Sequence, residues 1–162
     1  MAADETYNFD DGTEQGWTVS PGTNWTIDAT VGAKLHGSTY GMSFTTGANT
    51  GEDATIRKSL VSSYADIYVR FRLKIITGTD GQFNGSFGRL IGVGETSIYN
   101  ISGSIHLYQN GGVWYLRDSL TSATYALAFD TEYDVQVRWH RGASSDGGFE
   151  VWVDGTKRID AD

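Results

Sequence analysis

The 162-residue sequence has no cysteine and one proline, and none of its apolar runs is long. Without cysteine the chain has no disulfide and no thiolate metal site. Cysteine usage therefore does not indicate whether its compartment is oxidising or reducing. No apolar run approaches the roughly 18 residues of a membrane helix, so no membrane insertion is expected. The opening residues, MAADETYNFD, lack the hydrophobic core of a signal peptide. Either the protein is not exported by that route or a signal has been removed.

Basic residues are also few. Twelve Lys and Arg stand against 20 Asp and Glu, which gives a net charge of −8. This balance argues against nucleic acid and against anionic membrane surfaces as partners. The excess of acidic residues favours solubility and is compatible with calcium binding.

Glycine is abundant, with 21 residues, as a chain of short strands and tight turns requires. The length predicts one domain over residues 1–162, which would bury roughly 70% of the surface of its unfolded chain. Helical patterns are nearly absent, and residues 60–64 are the best candidate for a short turn of helix. About a dozen short strands at regular spacing predict an all-β, antiparallel two-sheet sandwich.

The clearest pattern is YDVQVRWHRGASSDGGFEVWVDG, residues 133–155. Apolar residues alternate through both halves, which predicts two half-buried strands joined by a Gly-rich hairpin. Residues 66–77 alternate in the same way, and residues 104–110 lead through Asn110-Gly111-Gly112 into another strand. Further strands are predicted at 7–9, 17–20, 25–28, 33–36, 40–46, 54–60, 87–93, 98–101, 113–117 and 123–129.

These segments resemble a known family. The strand YDVQVRWHR followed by VWVDG, the opening YNFDDGTEQGW and the middle strand DIYVRFRLKI are similar to concanavalin A-like (laminin-G-like) jelly-roll domains. The opening also resembles jelly-roll carbohydrate-binding modules. The resemblance implies a jelly-roll β-sandwich, a fold that hosts lectins, binding modules, lyases, hydrolases and virion proteins. In such domains a strand after the VDG turn pairs beside the first strand. Here TKRID is that closing strand, or the chain was cut, or another chain completes the sheet.

The outward positions of the clearest strands are rich in planar polar and aromatic groups. If the strands share one sheet, these residues form one ligand-binding face: Tyr68, Arg70, Arg72, His106, Tyr108, Gln136, Arg138, His140, Glu150 and Trp152. A sugar ring stacks on an aromatic side chain while Arg, Gln and Glu bond its hydroxyls or carboxylates. The alternative is an ordinary solvated sheet face. Trp152 is the strongest stacking candidate because it is out of phase with the core positions of its strand. The other tryptophans (Trp17, Trp25, Trp114 and Trp139) are predicted to be core residues.

The sequence contains two further candidate sites. His106 and Tyr108 with Arg70, Arg72 and Gln136 are loosely similar to the set used by jelly-roll polysaccharide lyases, but Ser104-Ile105-His106 stands where that family has Gln-Ile-His. The paired carboxylates of jelly-roll glucanases and the G-x-S-x-G motif are missing from the sequence, so no catalysis is expected. His36 stands alone in a Gly-rich stretch. The resemblance implies a structural calcium between Asp10 or Asp11 and Asp160. Asp80 and Asp146 lie beside glycine in predicted loops and are weaker candidates. The alternative for Asp10-Asp11-Gly12 is a simple turn.

The sequence therefore predicts a non-catalytic carbohydrate-binding module that recognises a glycan or polysaccharide. The second hypothesis is a virion or surface structural protein (a decoration, fibre or adhesin domain) that contacts other protein subunits through the same face. A polysaccharide lyase is the third. All three predict an extracellular, cell-surface or virion location.

Overall fold

A computed structural model describes residues 18–20, 25–28, 41–44, 55–57, 66–76, 85–94, 101–140 and 148–161. The chain falls into two compact units, residues 1–61 and residues 62–162. The expectation of a single domain over 1–162 stays a prediction.

Among its described residues, the first unit contains four short strands that form two antiparallel pairs. Strand β1 (Thr18–Ser20) pairs with β4 (Thr55–Arg57), and β2 (Trp25–Asp28) pairs with β3 (Gly41–Phe44). All four lie within or beside segments that the alternation predicts as strands.

In the part of the second unit that the structure describes, eight strands form two four-stranded antiparallel sheets. They are β5 (Asp66–Lys74), β6 (Gly85–Gly94), β7 (Ile101–Asn110), β8 (Val113–Asp118), β9 (Thr124–Leu127), β10 (Glu132–His140), β11 (Gly148–Val153) and β12 (Thr156–Ala161). The first sheet has the order β12-β11-β10-β5, and the second has the order β6-β7-β8-β9. The described part of the chain is all-β and contains no helix, so none long and apolar enough to span a bilayer.

One hydrophobic core joins the inner faces of the two sheets of this unit, as in a β-sandwich. The first sheet contributes Tyr133, Val135, Val137, Trp139, Phe149, Val151, Val153, Ile159 and Ala161, and the second contributes Ile105, Trp114, Leu116 and Leu127. Ile67, Phe71 and Leu73 of β5 pack against this core. The apolar residues that alternate through β10 and β11 are therefore on the buried side, as predicted, and Trp114 and Trp139 are core residues, as predicted.

Two tight turns have the geometry that their sequences predict. Gly111 and Gly112, between the paired residues Asn110 and Val113, have φ values of +58° and +80°. Asp154 and Gly155, between β11 and β12, have φ values of +51° and +76°. Two successive residues with positive φ form the type I′ turn that matches the twist of a hairpin.

Several predicted segments lie outside the described residues. They are the strands at 7–9 and 33–36, the helical turn at 60–64, Trp17 and the hairpin loop after β10. TKRID is a strand, since it forms most of β12 and pairs with β11. Whether β12 also pairs beside the first strand lies outside the described residues.

Candidate functional site

The outward side chains of β5, β10, β11 and β12 form one surface, which we call the charged face. The strand register places them in rows: Asp66 with His140; Tyr68 with Arg138, Glu150 and Asp160; Arg70 with Gln136, Trp152 and Lys157; Arg72 with Asp134; and Lys74 with Glu132. Eight of the ten predicted ligand-binding residues therefore lie on one face.

Arg138 is held at the centre of the charged face by two carboxylates. Its Nε and Nη2 donate to Asp66 Oδ1 over 2.9 and 2.7 Å, and its Nη1 donates to Glu150 Oε2 over 2.8 Å. These hydrogen bonds raise the pKa of Arg138, with Glu150 as the largest cause. The guanidinium is thereby fixed in position by side chains from two neighbouring strands.

Glu150 accepts hydrogen bonds from cations on both sides. Lys157 donates to its Oε1, and Lys157 also donates to Asp160 Oδ2 over 3.1 Å. The hydrogen bonds from Lys157, and then from Arg138, lower the pKa of Glu150. Glu150 and Asp160 in turn raise the pKa of Lys157. These contacts form a continuous ion-pair network from Asp66 to Asp160.

A second cluster lies on the same face around Asp134. Arg70 Nε donates to Asp134 Oδ1 over 2.9 Å, and Arg72 Nη2 lies 3.6 Å from Asp134 Oδ2. The backbone N–H of Asp134 donates to Asp154 Oδ1 over 2.9 Å. The hydrogen bond with Asp134 raises the pKa of Arg70. The predicted ligand-binding arginines Arg70, Arg72 and Arg138 therefore all have carboxylate neighbours already.

The aromatic residues of the charged face differ in how open they are. Tyr68 is 70% exposed, and the Arg138 guanidinium lies 5.8 Å from its ring centre. Trp152, the predicted stacking residue, is half-buried, and the Lys157 ammonium lies 5.5 Å from its ring centre. A cation therefore lies over one side of each ring, and the two rings differ in their exposure. Tyr68 offers the more open ring for stacking.

Two further polar residues, Gln136 and His140, lie at the centre and at one end of the charged face. Gln136 is exposed and lies between Arg70 and Trp152 in the register. His140 is half-buried opposite Asp66 at the end of β10. Gln136 is thus placed to donate and accept hydrogen bonds beside Arg70 and Trp152, because an amide carries both kinds of group.

His106 and Tyr108 lie elsewhere, because β7 belongs to the second sheet. The ten residues were predicted to form one face if their strands share one sheet. This is so for β5, β10 and β11, but β7 belongs to the other sheet. On the outer side of the second sheet, His106 Nε2 lies 2.6 Å from Ser104 Oγ. Tyr108 lies beside Tyr115, with ring centres 6.2 Å apart. The lyase-like set is therefore not assembled, because Arg70, Arg72 and Gln136 face away from His106.

The predicted calcium ligands lie mainly outside the described residues, since Asp10 and Asp11 are not among them. Asp160 is exposed and accepts a hydrogen bond from Lys157. Across the described ranges, no three His, Asp or Glu side chains are grouped so that they could hold a metal ion. The calcium site stays a prediction.

Asp66 and Asp134, which bind arginines of the charged face, were not predicted as site residues, whereas Glu150 was. Asp66 and Asp134 stand 72 and 64 residues from the arginines they bind, so no local pattern joins them. Their outward positions in the alternating pattern of β5 and β10 were the one signal that could have placed them on this face. Arg117 was also missed, although it alternates outward with Tyr115 in β8 and precedes the polar turn Asp118-Ser119-Leu120-Thr121-Ser122.

Comparisons with protein-family models, with curated proteins and with solved structures found no match for this chain. The similarity to concanavalin A-like domains therefore stays a prediction from the sequence.

Proposed function

We propose that this protein is a non-catalytic carbohydrate-binding module with a jelly-roll fold, and that its charged face is the glycan-binding surface. The observation that supports this most is the combination of an open aromatic ring at Tyr68 with polar groups that are already fixed around it. Its place of action would be extracellular, on a cell surface or on a virion.

The face has the two kinds of group that sugar recognition requires. The ring of Tyr68 can stack against the C–H face of a pyranose, and Gln136 can bond neighbouring hydroxyls. Arg138 is held by Asp66 and Glu150, so its orientation costs little further entropy when a ligand binds. Such preorganised donors around an exposed ring favour specific binding over general surface adhesion.

The charges of the face favour a neutral glycan. Arg70, Arg138 and Lys157 each pair with at least one carboxylate, and Arg72 lies within 4 Å of Asp134. A uronate or sulfate would have to compete with these carboxylates for the same cations. Neutral hydroxyls can instead bond to the N–H groups and carboxylate oxygens that remain open.

A glycan-array screen with and without EDTA tests the proposal. The wild type would be compared with Tyr68→Ala, Tyr68→Phe and Trp152→Ala. Stacking predicts that Tyr68→Ala weakens binding at least 10-fold, whereas Tyr68→Phe keeps the ring and most of the affinity. Val113→Ala is the control, since Val113 is an exposed apolar residue at the start of β8, away from the charged face. Loss of binding with EDTA would add the calcium.

A blank array with well-folded wild-type protein would refute the proposal. The structural hypothesis would then be favoured, and light scattering would test it, because a decoration or fibre domain assembles with other subunits whereas a binding module is monomeric. Equal binding by the wild type and Tyr68→Ala would move the site off the charged face.

A further inference from the structure

A small pocket lies on the second sheet, at the end of the β8–β9 hairpin. It has a volume of about 220 Å³ and is lined by His106, Arg117, Asp118, Ser119 and Ser122. Sites for drug-sized ligands begin at roughly 300 Å³. This pocket therefore suits a single small chemical group and not an oligosaccharide.

Both serine hydroxyls of the pocket are already used as acceptors. Ser119 Oγ accepts from the backbone N–H of Ser104 over 2.9 Å, and Ser122 Oγ accepts from Arg117 Nη2 over 3.0 Å. Each hydroxyl still has its own proton to donate. Ser119 and Ser122 thus present donors to the pocket.

Arg117 adds a positive charge that differs from those of the charged face. Its guanidinium lies 4.8 Å from the ring centre of Tyr108, and among the described residues it forms no ion pair with a carboxylate. One of its five N–H groups is donated to Ser122, so others remain available. Stacking on Tyr108 holds the guanidinium in place beside the pocket.

Asp118 is the one acid in the pocket lining, and its carboxylate is turned inward. Its Oδ2 accepts from Thr121 N over 2.5 Å and from Thr121 Oγ1 over 2.8 Å, and the residue is fully buried. It fixes the turn that carries Ser119 and Ser122. The negative charge of Asp118 partly offsets the positive charge of Arg117, so we expect the pocket to bind an anion only weakly.

We propose that this pocket is a binding site for a small oxyanion group, such as a carboxylate, sulfate or phosphate. Arg117, Ser119 and Ser122 all line it and carry N–H or O–H donors, and an oxyanion accepts several such hydrogen bonds at once. The group could be a free anion or an acidic substituent on a larger glycan. The proposal is independent of glycan stacking at Tyr68, because the two sites lie on different sheets.

An NMR titration of the full chain with sodium sulfate, phosphate and acetate tests the site. Sodium chloride at matched ionic strength is the control for salt. We expect saturable shifts of the amides of residues 117–122 and a dissociation constant on the order of 1 mM. Arg117→Gln should weaken binding at least 10-fold, and Arg117→Lys should recover only part of it because lysine lacks the planar fork.

Arg158→Gln is the matched control, since Arg158 also lies over a tyrosine ring, at 5.1 Å from that of Tyr125, but outside the pocket. It should bind as the wild type does. Ser122→Ala removes one exposed hydroxyl and supplies a second test if Arg117→Gln does not fold. Shifts that do not saturate, or equal affinity in the wild type and both pocket variants, would overturn the proposal.

A second arm identifies the source of the group. A sulfated oligosaccharide is compared with its unsulfated form on the wild type, Arg117→Gln and Tyr68→Ala. Tighter binding of the sulfated form that is lost in Arg117→Gln alone assigns the pocket to a glycan substituent. Binding of inorganic anions without that preference assigns it to a free anion.

Discussion

Arg138 and Glu150 face each other across β10 and β11, and Arg138 Nη1 donates to Glu150 Oε2 over 2.8 Å. Lys157 donates to the other oxygen of the same carboxylate. Glu150 is only 7% exposed, although alternation places it on the outward face of its strand. Two cationic side chains cover this carboxylate, so it is buried and fully hydrogen-bonded.

Replacing Glu150 with glutamine should destabilise the fold. The uncharged amide weakens two charge-assisted hydrogen bonds, and we expect the free energy of unfolding to fall by about 1.5–3 kcal/mol. Urea unfolding at pH 7 measures this change. Glu132→Gln is the control, because Glu132 is exposed at the first residue of β10. A similar small effect in both variants would contradict the role of Glu150.

The same carboxylate should make stability depend on pH. Hydrogen bonds from Lys157 and Arg138 hold the pKa of folded Glu150 below its usual value of about 4.3. Its stabilising effect is therefore complete above the unfolded pKa and is lost as pH falls through the folded pKa. Urea unfolding from pH 7 to pH 3 should show the wild type converging on Glu150→Gln at the acid end. A constant difference across this range would show that ionisation of Glu150 is not the cause.

Phe149→Ala should be the most damaging single change in the core. Phe149 is fully buried in β11, and removing its ring leaves a cavity between the sheets. Such a change costs about 3–5 kcal/mol of unfolding free energy. Chemical unfolding compares it with Leu120→Ala, an exposed position where we expect a change within about 0.5 kcal/mol. Nearly equal values would place Phe149 outside the cooperative core.

The Gly111-Gly112 turn gives a backbone prediction. Gly111 has φ +58°, and a Cβ added there meets nothing within 4 Å. Gly111→Ala should therefore cost about 1–2 kcal/mol through its conformation alone. Gly111→Asn should cost clearly less, because asparagine is favoured in type I′ turns. Thermal unfolding of both variants tests this, and equal losses would point to a cause other than φ.

The predicted calcium can be tested by thermal unfolding with calcium and with EDTA. Binding to the folded state raises the midpoint by mass action, so calcium should stabilise the wild type. Asp160→Asn should abolish that shift, whereas Glu132→Gln, which changes an exposed acid outside the predicted site, should retain it. No shift in the wild type would exclude the site and leave Asp10-Asp11-Gly12 as a turn.

Local patterns were sufficient for much of the fold. Apolar alternation determined β5, β10 and β11 and the inward side chains Trp139 and Phe149, because successive residues of a strand leave opposite faces. Glycine positions indicated the turns at Gly111-Gly112 and Asp154-Gly155, because few residue types other than glycine adopt positive φ without a steric cost. These features depend only on neighbours in the chain.

Strand order and long-range pairing were decided by the tertiary structure alone. Alternation shows which side chains share a face of one strand, but not which strands share a sheet, so it could not separate His106 from Arg138. The pairing of Arg138 with Asp66 joins residues 72 positions apart. The strand register brings these two residues together, and that register depends on how the whole core packs. Local sequence patterns therefore define the strands and turns, whereas the polar contacts on the charged face follow from the strand order and register of the folded chain.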